Sequence, residues 1–103
     1  GATWDAASRA TFPGYAQSMA MTASGAMVCA HRYPHYAVNV SRDGGLHWDA
    51  GTVIDYPVWA MGTVTEVEPD VLLCTYMNAE RAMPLLAQRV RVLPDRIAPC
   101  ARE

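Results

Sequence analysis

The segment Arg32-Tyr33-Pro34-His35-Tyr36 gathers a guanidinium, two phenols and an imidazole into one short stretch. Such a cluster can line a sugar pocket: carbohydrate rings pack on aromatic faces, and the polar tips take up hydroxyls. It also reads as an ordinary hairpin loop turned by its proline. Tyr76, at the end of Leu72-Leu73-Cys74-Thr75-Tyr76, reads locally as an amphipathic residue at a strand end. His31, His35 and His47 show no metal-ligand spacing, and Cys29 and His31 on one strand face do not make a zinc site. Cys29, Cys74 and Cys100 form no C-x-x-C pair, and the first two read as small buried hydrophobes in strands.

Composition narrows the classes. Of the 103 residues, 51% are apolar and 17% charged, a balance that should bury a core and is low in charge for a free-standing surface. A net charge of −2 argues against a nucleic-acid partner. No run approaches the roughly 20 apolar residues of a membrane-spanning helix, so no membrane partner is expected. No stretch reads as a secretion leader, and the compartment stays open. No cofactor is called for.

The elements that must hold these side chains are organised around Ser41-Arg42-Asp43-Gly44-Gly45-Leu46-His47-Trp48. β-rich segments flank it on both sides. Asp43 and Ser41 can accept hydrogen bonds from nearby backbone N–H groups and so close a turn without ladder partners. Gly44 and Gly45 permit the positive φ of a short connection. Trp48 is an apolar plug that pins the turn to the sheet.

Part of this stretch recurs. Gly1-Ala2-Thr3-Trp4-Asp5-Ala6 aligns with Gly45-Leu46-His47-Trp48-Asp49-Ala50, and Phe12-Pro13 with Tyr56-Pro57. Val28-Cys29-Ala30-His31 aligns with Leu73-Cys74-Thr75-Tyr76 at an offset of 45, and Ala37–Val40 with Ala87–Val90 at 50. A period in this range matches a unit of four short strands, as in a propeller blade. On this register residues 1–12 hold the outer strand of one blade. Residues 13–56 form a complete blade, with strands at Gln17–Thr22, Ala26–Arg32, Tyr36–Ser41 and Thr52–Tyr56. Residues 57–103 form a last, partial blade with strands at Met61–Val67, Val71–Met77 and Leu86–Leu93. A loop at Asn78–Leu85 lies within it, and a tail follows from Ile97. Arg89 and Arg91 read as the solvent face of an edge strand, and Glu66, Glu68 and Asp70 as solvated residues around a turn. Apolar residues on both strand faces imply neighbours on both sides, so two blades need further blades, self-association or a partner. Because the sequence opens inside a half motif, it is expected to be a piece of a longer protein.

The S-x-D-x-G-x-x-W pattern of Ser41, Asp43, Gly45 and Trp48 resembles the Asp box of sialidases (neuraminidases) and related bacterial-neuraminidase-repeat proteins, with His47 in place of the usual Thr. The resemblance implies an all-β fold, about two four-stranded blades of a six-bladed propeller, with the box as a structural rim turn. It also implies that Tyr76 resembles the nucleophilic tyrosine of the family. A neutral phenol suits an anomeric carbon that bears a carboxylate, but its pKa of about 10 demands an activating base. Met77 stands where the family often has Glu. Arg32 resembles the third of three carboxylate-clamping arginines, whose planar fork gives two parallel charge-assisted bonds, although the family spacing falls nearer Tyr33. The expected partner is thus a sialoside-like carbohydrate, with Tyr76 catalytic and Arg32, Tyr33 and His35 in substrate binding. The family's acid/base Asp, its other two arginines and its activating Glu have no counterpart in this sequence. The alternative is a non-catalytic Asp-box module that binds carbohydrate or protein, or a short chain that assembles a propeller from copies of itself.

Overall fold

A computed structural model describes residues 7, 10, 12, 17–32, 35–55, 62–77 and 85–100. Among the described residues, alternating side chains and short turns give eight strands and no helix. Strands β1 (Ser18–Met21), β2 (Met27–His31), β3 (Tyr36–Ser41) and β4 (Thr52–Asp55) form one antiparallel sheet in sequential order. Strands β5 (Gly62–Glu68), β6 (Val71–Met77), β7 (Leu85–Val92) and β8 (Ile97–Pro99) form a second. Each is a plain up-and-down meander. Of the residue 1–12 strand expected of a preceding blade, only residues 7, 10 and 12 are among those described, none of them in a strand, and the rest lie outside the described residues.

The second sheet corrects two expectations. The segment from Ile97 supplies a fourth strand, paired through Val92↔Ile97 and Val90↔Pro99, rather than a tail. Consequently β7 is internal. Arg89 and Arg91 are exposed because they alternate with buried Val90 and Val92, not because their strand is an edge.

The sheets pack face to face. The first contributes Val28, Ala30, Tyr36, Val38 and Val40; the second contributes Val64, Leu72, Cys74, Tyr76, Val90 and Val92. Strands β1 and β2 lie against β5. The register within each sheet shows that these two faces are not equivalent. Met19 pairs with Cys29 and Val64 with Cys74, so corresponding rungs lie 45 residues apart. An odd offset reverses the parity of the side chains. The face that the first sheet turns toward the second (its front) therefore corresponds to the face that the second sheet turns away, and the stacking runs front to back. Asn39 and Gln88 sit opposite those cysteines, 49 apart, so the offset of 50 read for this strand slips by one residue.

Side chains tie the turns of the two sheets together at one end. Glu66 accepts the Ala23 N–H at 2.6 Å and the Asp70 N–H at 2.9 Å. Asp70 accepts both the Ser24 N–H and its hydroxyl, which holds its carboxyl below the ordinary range. Arg42 donates to the Leu93 carbonyl. Two of the acidic residues expected to be merely solvated are thus sheet-to-sheet ties.

The turn after β3 closes as its chemistry requires. Ser41 Oγ accepts the Gly45 N–H at 2.8 Å and donates to Asp43 Oδ1 at 2.8 Å. Asp43 reaches the His47 N–H at 2.8 Å, four residues on, and the His47 ring Nδ1 at 2.6 Å. Gly44 and Gly45 have φ of 74° and 93°. The Trp48 indole N–H donates to the Gly45 carbonyl, and Phe12 packs edge-on against its ring. Hydrogen bonds from the His47 backbone, then its ring, then Ser41 lower the Asp43 carboxyl from its ordinary 3.8 to about 2. A carboxylate depressed on folding contributes stability above its unfolded pKa and loses it as pH falls through the folded value. In denaturant titrations the advantage of the wild type over Asp43→Asn is expected to be full above about pH 4 and to vanish near pH 2. An advantage independent of pH over that window would contradict this account.

Candidate functional site

The strand directions sort the side chains into two ends. Ser41, Asp43, Ser24 and Asp70 lie at one. Arg32, His35, Asp55 and Tyr76 lie at the other, where β2, β4 and β6 finish and β1, β3, β5 and β7 begin.

At this second end a β-bulge decides which side chain meets which. Tyr36 pairs with Asp55 but Ala37 with Val53, so Ile54 is the extra residue of β4. Strict alternation would turn Asp55 to the side of Val53, away from the other sheet. The bulge returns it to the side of Tyr36. There the Tyr76 hydroxyl donates to Asp55 Oδ2 at 2.9 Å, joining the end of β6 to the end of β4. Asp55 was not singled out from the sequence, since nothing local to Val53-Ile54-Asp55 announces a bulge.

Tyr36 and Tyr76 stack with ring centroids 4.5 Å apart and planes inclined by 25°. The Tyr36 hydroxyl donates to the Thr63 carbonyl at 3.2 Å. Burial, then the neighbouring Cys74 thiol, push the Tyr36 phenol far above its ordinary value, and burial raises the Cys74 thiol to about 11. Both stay neutral near pH 7, which suits Tyr36 to be a platform rather than a nucleophile. Gly62 makes room for this arrangement. A Cβ there would stand 2.7 Å from the Thr75 carbonyl oxygen, 2.7 Å from Tyr36 Cε1 and 3.0 Å from Tyr76 Cβ.

Tyr76 also forms part of the wall of an open concavity of about 490 Å³. Gln17, Ser18, Thr63 and Thr75 line its polar side, and Met77 and Leu85 its apolar side. The Thr63 and Thr75 hydroxyls bond each other at 2.6 Å. An amide and three hydroxyls facing a methionine and a leucine suit a ligand with both hydroxyl groups and a carbon skeleton.

Comparison of the chain with known protein families, with curated proteins and with solved structures finds no match.

The other residues singled out from the sequence fall as follows. Arg32, half-buried just past β2, and His35, half-buried just before β3, share the end that carries Tyr76 but do not line the concavity. Tyr33 lies outside the described residues. Ser41, Asp43, Gly45 and Trp48 form the structural turn at the opposite end. His31 is 4% exposed, its Nε2 donates to Asn39 Oδ1 at 2.6 Å, and its ring stacks on Phe12. It belongs to the packing of the first sheet. Cys29 and Cys74 are buried free thiols, as their strand positions imply.

Proposed function

We propose that this chain forms two blades of a propeller-like glycoside hydrolase of sialidase type, with Tyr76 as nucleophile. The observation that carries the reading is the 2.9 Å hydrogen bond from the Tyr76 hydroxyl to Asp55, beside a hydroxyl-lined concavity. A phenol attacks only when a base takes its proton. Asp55 supplies that base, filling the role for which the sequence offers no Glu beside Tyr76. In the step, Tyr76 Oη bonds to the anomeric carbon, the phenolic proton passes to Asp55, and the bond to the aglycone breaks with its electron pair leaving on the aglycone oxygen. An activated phenolic aglycone can leave as its anion, so this step is testable without a separate acid. Arg32, at the same end, is the residue proposed to hold a substrate carboxylate.

The reading predicts slow release of a fluorescent phenol from a sialoside, lowered at least about a hundredfold by Tyr76→Phe and by Asp55→Asn. Tyr76→Phe keeps the ring and its stacking, so a folded chain with unchanged turnover would eliminate the nucleophile role. One observation favours a second reading. Tyr76 is only 6% exposed and packs in the core cluster, as the strand residue of a non-catalytic carbohydrate-binding module would. Sialoside binding that survives Tyr76→Phe, with no turnover in either protein, would select it.

A further inference from the structure

Resting on the reading of the concavity beside Tyr76 as a glycoside site, we propose that it has two subsites, one for a sugar ring and one for an apolar aglycone. Its ligands are then glycosides of alkyl or aryl alcohols rather than of a second sugar.

The register of the second sheet builds the two subsites on successive rungs of one face. Thr63 pairs with Thr75, and Thr75 with Ala87. Two residues further along β6, Met77 pairs with Leu85. Residues two apart on a strand share a face and stand about 6.5 Å apart. A rung with two hydroxyls is thus followed, at the strand end, by a rung with a thioether and an isobutyl group. All four residues line the concavity. Tyr76 lines it too and falls in the chain between Thr75 and Met77, as the bond joining sugar to aglycone must fall between their subsites.

The hydroxyls have capacity left for a sugar. Thr63 and Thr75 bond each other at 2.6 Å, which uses one O–H and leaves the other to donate. Ser18 Oγ accepts the Val64 N–H at 3.1 Å, so its own O–H remains a donor. The apolar pair, by contrast, is spent on no core. Leu85 is 76% and Met77 37% exposed, whereas Tyr76 and Leu86, paired on the other face, pack in or against the buried cluster. One exposed leucine is ordinary. Two apolar side chains paired at the mouth of a hydroxyl-lined concavity form a wall, and a hydrocarbon laid on it takes apolar surface of both partners out of water. Neither side chain offers a donor or a charge to a second sugar or a phosphate.

NMR amide chemical-shift titrations test the assignment. Methyl and octyl α-sialosides form one pair of probes, methyl and octyl glucosides a second, all kept below their micelle concentrations. The octyl member of a pair is expected to bind at least about tenfold more tightly than the methyl member, the gain from burying about two methylene groups. Saturable shifts should centre on Thr75, Met77 and Leu85. Met77→Gln combined with Leu85→Gln should cancel most of the preference, and both positions are exposed, so circular dichroism should show an unchanged fold. A preference seen with the glucosides and lost in the double variant supports the apolar subsite even where no sialoside binds, an outcome that sinks only the sialidase reading. Absence of an octyl preference in both pairs overturns the subsite, and sialoside turnover in the same protein would leave the hydrolase reading standing. A preference that survives the double variant, or shifts centred on the exposed Met19 and Met21, overturns it as well.

Discussion

Tyr36→Ala is expected to cost about 4 kcal/mol of folding stability, the scale of emptying a buried aromatic site. Tyr36 is 1% exposed within the contact between the sheets, so its loss leaves a cavity that two hydrogen-bonded sheets cannot collapse to fill. The stack on Tyr76 and the bond to the Thr63 carbonyl go with it. A domain is held by only about 5–15 kcal/mol, so the variant should be marginal at room temperature. Tyr36→Phe separates the contributions. It keeps the ring and removes one hydrogen bond, and should cost about 1 kcal/mol. Urea unfolding of the three proteins measures both. A Tyr36→Ala loss no larger than that of Tyr36→Phe would show that the ring is not what joins the sheets.

Gly62→Ala is expected to cost about 2–3 kcal/mol, a large effect for one added methyl group. The reason is what surrounds it. The Thr75 oxygen, 2.7 Å from the new Cβ, belongs to the backbone of β6 and is fixed by the ladder. The Tyr36 ring, also at 2.7 Å, is backed by Tyr76 and cannot swing away. Something must shift, and the cheapest shift separates the two sheets at the end that carries Asp55 and Tyr76. The same substitution should therefore weaken any activity that depends on that pair. In a double-mutant cycle, Gly62→Ala and Tyr36→Ala should combine to less than the sum of their separate costs, because removing the ring relieves part of the crowding. Strict additivity would show that the methyl group never meets the ring.

Asp43 and the glycines after it specified their turn through local hydrogen bonding and positive φ, which need nothing beyond neighbouring residues. The strands Tyr36–Ser41 and Val71–Met77 were legible with their boundaries, because alternation and β-branched or aromatic composition are also local. The short strand Ile97–Pro99 was not. Its three residues carry no period, and only pairing with β7 makes them a strand. Asp55 shows the same limit at the site. Alternation assigns it to one face and a bulge moves it to the other, and its partner Tyr76 is 21 residues away on a different sheet. The sequence by itself determined the antiparallel meander, the turn after β3 and the repeat of about 45 residues. Only the tertiary structure decided which faces meet and which carboxylate reaches Tyr76, because a one-residue change of register reverses every side chain of a strand.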